Sequence, residues 1–424
     1  MPHAIRIPLI LLASLFSACA DEPPRRQASR NEGSRTPPPP VATQTPIRTS
    51  TQESPQTHLA IPVSVDPAVE IICTIYRLAG LDQFTAEDLP PYTDQVEERF
   101  GPWSDHRAVA LARDLWENHR ITGSAPVALA LYLTPPPGLE GRIPLSPLPA
   151  DLDPRWTPET VSAFLEAARE FAVDTDFMEF FSSQAEYYRR SVENLNDAVV
   201  DQDITNWLQD FFGQEPDGYT IIVGMQTGYG NYGLSRILRD GSQEFVSVMG
   251  ASSPSFFGGV PRFTAWWVIP TIVHEFAHSF VNPFVFANEE ALKPVSERIF
   301  PSHRAQMMSQ GYSTWAHLAF EYLVRASVNR YLQDQGDREG LAGRFEADLA
   351  QGFPGIHLLT ERLGEYQANR DRYPTLTEFL PRIVDCFEEI YRTFAAGYVA
   401  SPSSGQTPTL SRSDPLPLLH LPSL

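Results

Sequence analysis

Lysine is all but missing from this chain of 424 residues: Lys293 is the only one, and arginine supplies the rest of the positive charge. With 52 acidic residues against 32 basic ones the formal charge is -20, and no basic cluster stands in the part able to fold. That argues against nucleic acid as a partner and against an electrostatic patch as the means of holding a membrane. Cysteine is scarce as well. Apart from Cys19 there are only Cys73 and Cys386, too few for a disulfide framework. Both lie in apolar helical contexts, IICTI and VDCFEEI, and read as two buried free thiols, the alternative being one bridge that joins the start of the folded part to its end. The apolar run near the start, Ile7 to Phe16, is too short to remain in a bilayer as a spanning helix.

That run has the proportions of a signal peptide, with Arg6 before it and small residues closing it. It ends in Leu15-Phe16-Ser17-Ala18-Cys19, which resembles a bacterial lipobox. The resemblance implies that residues 1–19 are a lipoprotein signal segment and that Cys19 is lipidated to become the mature N-terminus. With Ala20 where an Asp would retain the protein elsewhere, it implies a lipid anchor in the bacterial cell envelope, at the outer membrane and facing periplasm or cell surface. Residues 20–62 are rich in Pro, Ser, Thr, Gln and Arg and read as a disordered tether; residues 396–424 read as a disordered tail. Between them, 63–395 suffices for one large domain or two lobes sharing a cleft.

Apolar spacing is helical through most of 63–215, in AVEIICTIYRLAGL, SDHRAVALARDLWENH, APVALALYL and, after the cap signal Thr157-Pro158-Glu159, in VSAFLEAAREFA and beyond. In 216–285 the period changes. Tyr219 to Met225 (YTIIVGM) is β-branched and bounded by Asp217-Gly218 and GYGNYG, and Glu244 to Met249 (EFVSVM), after Asp240-Gly241, reads as its hairpin partner. In 286–395 helices resume around Gln310 to Leu332, Leu341 to Ala350 and Leu380 to Phe394. The fold class is α+β, mostly helical.

Directly after the strands comes IVHEFAHSFVNP, Ile272 to Pro283. Its apolar flanks predict a buried helix, on which Asn282-Pro283 is the stop. His274 and His278, four apart, share one face of that helix, so one ion could touch both, and Glu275 lies about 100° around the axis, where it could serve a water without being a ligand. Two imidazoles and a carboxylate in an apolar helix are costly without a partner, and a bound cation supplies one. This is the H-E-x-x-H arrangement of zinc metallopeptidases, and sheet, motif helix and helical C-terminal half together resemble the zincins, specifically the gluzincins. The run His274 to Pro283 also resembles the H-E-x-x-H-S-F-x-N-P core of a family of uncharacterised bacterial zincin-like proteins. A metzincin is excluded, since Val281 and Phe284 stand where its Gly and third His would fall.

The gluzincin resemblance implies Zn2+ held by His274, His278 and a Glu on a second helix crossing the first. Glu321 suits that place because TWAHLAFEYLVRA is helical in spacing and aligns Glu321 with His317; Glu297, His317 and His303 are the alternatives. A zinc so held polarises a carbonyl and activates water, with Glu275 as the catalytic proton acceptor. Tyr229, Tyr232, Tyr312 and His317 are candidate donors to the oxyanion, and YTIIVGM is a candidate edge strand for an extended substrate. The expected function is a peptidase with a peptide or protein substrate. The rivals are a non-catalytic envelope lipoprotein with a structural zinc or a partner-binding role, and a zinc hydrolase of a non-peptide amide.

Overall fold

The computed structural model describes residues 61–85, 89–228, 230–251 and 259–396. The signal segment with Cys19, nearly all of the tether, Tyr229 and nearly all of the tail lie outside the described residues.

Local chemistry sets the first helices. In α1 (Pro67–Leu78) Asp66 accepts from the N–H groups of Ala68 (2.7 Å) and Val69 (3.3 Å), while Pro67 occupies the position where a missing N–H costs nothing. After α2 (Asp82–Thr85), α3 (Tyr92–Phe100), α4 (Arg107–His119) and α5 (Ala125–Leu131), the expected cap at Thr157 opens α6 (Pro158–Asp174). Thr157 accepts there from Thr160 N at 3.2 Å. α7 (Phe177–Ser183), α8 (Ala185–Val199) and α9 (Ile204–Phe212) complete this helical part. Cys73 and Cys386 are both buried and free.

The sheet corrects the hairpin expectation. Strands β1 (Val63–Ser64), β2 (Gly218–Gly224), β3 (Tyr232–Ile237) and β4 (Gln243–Gly250) lie in the order β1-β2-β4-β3. β2 and β4 are neighbours as expected, but parallel; the antiparallel partner of β4 is β3, and the Asp240-Gly241 turn belongs to that pair. β2 is therefore interior, and the edges are β3 and the two-residue β1. YGLSRI gave no strand signal because its polar and Gly positions suit an edge, with one flank open, better than a buried ribbon.

Side-chain alternation sorts the faces. Tyr219, Phe245 and Ser235 are in register, so with Gly233 they share one face, and Tyr232 belongs to the other. Across the first face runs α10 (Ala265–Ala287), with Phe276 5.0 Å from Tyr219 and Phe280 4.8 Å from Phe245, centroid to centroid. Contrary to the expected stop at Asn282-Pro283, α10 continues through Pro283. A proline inside a helix costs about 3 kcal/mol, which burial of Phe284 and Val285 beyond it, at about 1.5–3 kcal/mol each, offsets.

α11 (Glu289–Ser309) likewise runs through Pro294 and Pro301, which had masked it as a helix. Behind it come α12 (Trp315–Asp334), α13 (Arg338–Ala350), α14 (Ile356–Ala368), to which no sequence signal pointed, and α15 (Leu376–Ile390). α12 is central, packed by α10, α11, α13 and α14 and buried almost throughout. The class is thus α+β, mostly helical with a small four-stranded sheet. Among the described residues no helix is long and apolar enough to cross a membrane.

One buried carboxyl ties α1 to the end of β2. Glu70 accepts from Met225 N (2.8 Å) and Tyr92 Oη (3.1 Å), and Tyr92 Oη meets Tyr188 Oη at 3.0 Å. Burial pushes Glu70 up to about 8. The folded state therefore holds a proton that the unfolded chain has released above about 4.5, and this contribution to stability is present below that pH and lost as pH rises towards 8. The expected slope is about 1.4 kcal/mol per pH unit in that window. Glu70→Gln, which can accept from Met225 N and donate to Tyr92, should flatten it in denaturant titrations at pH 5 to 8; an unchanged slope would assign the proton to another group.

Candidate metal centre

The centre is built where α10 crosses α12. α10 is pinned on both sides: Phe280 stacks on Phe212 of α9 at 4.5 Å, and Ser279 Oγ donates to the Leu234 carbonyl of β3 at 3.1 Å. At Gly233 the strand touches the helix so closely that a Cβ would lie 1.8 Å from the Glu275 carbonyl oxygen. These contacts fix the turn that carries His274, Glu275 and His278, all buried.

The two Nε2 atoms of His274 and His278 are 3.2 Å apart. From α12 Glu321 brings Oε1 to 3.4 Å from His278 Nε2 and Oε2 to 3.8 Å from His274 Nε2. Ligands about 2.0–2.1 Å from a tetrahedral zinc stand about 3.3 Å from one another, so the spacing suits that ion. Among the described residues this is the one His/Cys/Asp/Glu group whose ligand atoms converge, all within 4.8 Å. Two buried oxygens there, Glu321 Oε1 and Glu275 Oε2, have no hydrogen-bond partner, as atoms awaiting an ion and a polar reactant would.

Electrostatics prepares each group. Burial would raise the Glu321 carboxyl, but the Arg325 guanidinium, Nε 2.9 Å from Oε2, with His274 and His278, holds it well below the usual carboxylate range. It is an anion, the form in which a carboxylate can hold a metal ion. Burial pushes His274 well below its ordinary value despite Glu321, so the imidazole is neutral, as a ligand must be. His278 Nδ1 donates to Asn282 Oδ1 at 3.1 Å, which turns the Nε2 lone pair towards the cage. Glu275 is pushed up to about 7, by burial first, against the pull of His278. A carboxylate near neutrality can both take and return a proton.

Residues 63–386 match the model of a family described as Domain of unknown function (DUF4932). The chain belongs to this family. Neither the curated proteins nor the solved structures contain a match to it.

Within this DUF4932 domain the alternative third ligands stand apart from the cage. Glu297 is on the exposed face of α11. His303 Nδ1 is engaged by Ser302 Oγ (2.7 Å) and the Ile299 carbonyl (3.2 Å), and His317 Nδ1 accepts from the N–H groups of Ser313 and Thr314 (both 3.2 Å), capping α12. Of the oxyanion candidates, Tyr232 belongs to the sheet face away from α10 and its hydroxyl meets Gln83 of α2. Tyr312 is buried within the field of Arg325 and Arg344. Sequence reasoning missed Asn282, although its i,i+4 relation to His278 was a usable signal. It also missed Arg344, whose Nη2 lies 3.3 Å from His274 Nδ1 across 70 residues of sequence and which no local pattern marks.

Proposed function

We propose that this DUF4932 chain is a zinc-dependent peptidase of the gluzincin type, acting in the bacterial envelope. The observation that carries the reading is the convergence of His274, His278 and Glu321 beside a partnerless Glu275 oxygen. Zinc in that cage would supply a Lewis acid that polarises a carbonyl and lowers the pKa of water. Glu275 takes the proton of the attacking water and passes it to the leaving amine. Of the described oxyanion candidates Tyr312 is the one we favour, since it is buried while Tyr232 is engaged by Gln83 and His317 caps α12.

For the substrate, edge strand β3 replaces YTIIVGM. Ile237 N–H turns from β4 to the Tyr132 hydroxyl at 3.1 Å, so antiparallel alternation directs the backbone of Ser235 outward too, while the N–H of Gly233 is engaged by the Glu275 carboxyl. Such an edge beside Glu275 suits an extended peptide read through its backbone. The envelope location rests on the lipobox resemblance at Cys19.

A second reading, a structural zinc without catalysis, is favoured by the exposure of the centre: His274, Glu275, His278 and Glu321 are each at most 2% exposed. Metal analysis of the purified protein, followed by a mixed-peptide screen, separates the two. Cleavage abolished by chelator and restored by zinc is expected; stoichiometric zinc with no cleavage would favour the structural reading, and a protein that takes up no zinc would end both.

A further inference from the structure

Helix α13 docks through charge. Its buried residues are Arg344, Ala347 and Asp348, so it brings two ionised side chains to the core where an apolar stripe would be usual. Burying ions costs several kcal/mol each unless they are paired and hydrogen-bonded. Here the partners lead to the metal ligands. Asp348 Oδ1 accepts from Arg325 Nη1 at 2.8 Å, and Arg325 Nε donates to Glu321 Oε2 at 2.9 Å. On its other side the same Oδ1 lies 3.6 Å from Arg344 Nε, and Arg344 Nη2 lies 3.3 Å from His274 Nδ1. Asn329 Nδ2 holds the second oxygen, Oδ2, at 3.3 Å, and Phe353 lies under the Arg325 guanidinium at 4.2 Å. Asp348 and Arg325 are fully buried.

One carboxylate on α13 thus stands behind the anionic side chain of the cage, Glu321 of α12. It also neutralises a guanidinium that would otherwise repel a dication through the His274 ring. We propose that Asp348 is a positioning residue of the metal centre, fixing Glu321 through Arg325, so that docking of α13 and filling of the centre are one linked equilibrium. The proposal rests on reading His274, His278 and Glu321 as a metal centre, and is independent of peptide cleavage.

The test uses the full chain. Amide hydrogen exchange is compared with zinc and with chelator, and exchange across residues 338–350 should slow on metal loading while α6, which touches no ligand, stays unchanged. In Asp348→Asn the zinc Kd should rise about 10–100-fold, the range for loss of a residue that supports a ligand. The visible bands of the cobalt-substituted protein should shift as well, which a role confined to packing would not produce. Equal exchange of α13 in both states overturns the linkage even if the variant fails to fold. A folded variant with the parent's zinc Kd and cobalt spectrum overturns the positioning role. A parent that binds no zinc overturns this inference together with the centre, whereas zinc binding without peptide cleavage counts against the peptidase alone.

Discussion

Glu275→Gln keeps its zinc and loses about 10³-fold or more in peptide turnover, the scale of a general base at its upper range. The residue lies beside the cage and outside it: the converging atoms are those of His274, His278 and Glu321. An amide of the same shape leaves those three in place, along with the contact of Gly233 on the Glu275 carbonyl. What it removes is the capacity to accept a proton. Zinc content by elemental analysis, beside turnover of a cleaved peptide, decides the matter. If metal departs together with activity, Glu275 is holding the ion; if activity survives, the proton goes elsewhere.

Glu321→Ala has the second large effect, a fall in zinc affinity beyond the 10–100-fold that accompanies loss of a supporting residue. It deletes the one anion of the cage and also removes the acceptor of Arg325 Nε, leaving that fully buried guanidinium with Asp348 and Gln351. A lost hydrogen bond to a charged group typically costs about 1.5–3 kcal/mol, so a lower melting temperature is expected alongside the weaker binding. Glu297→Ala, on the exposed face of α11, serves as the control and should match the parent in both. Chelator-competition titrations of the two variants measure this directly. Zinc bound as tightly by Glu321→Ala as by the parent would remove Glu321 from the ligand set.

The parts of the centre that sequence disclosed are those written at helical spacing. His274, Glu275 and His278 occupy consecutive turns of one helix, and Glu321 follows from its i,i+4 alignment with His317 once a crossing helix is supposed. His317 then proved to cap α12, a role the same spacing allows. Arg344 and Asp348 stayed hidden because their helix reads as an ordinary exposed one, and its buried face acquires meaning only against α10 and α12. The sheet was legible in content and not in connection. β2 and β4 declared themselves by β-branched runs, whereas their parallel pairing depends on where the chain returns after β3, which no local pattern encodes. Proline misled twice, at Pro283 and in α11, because its cost is local and the burial that outweighs it is tertiary.

The contact between Gly233 and the Glu275 carbonyl bears on how such a protein can diversify. A single methyl at 233 would have to push the whole motif helix off the sheet, and both histidines would travel with it. The gap between the edge strand and the reactive turn is therefore not open to gradual adjustment by side-chain size at that point. A saturation library at position 233 should return glycine alone among active clones. Under the peptidase reading, adjustment to larger or smaller substrates would have to come from positions that leave this backbone junction untouched.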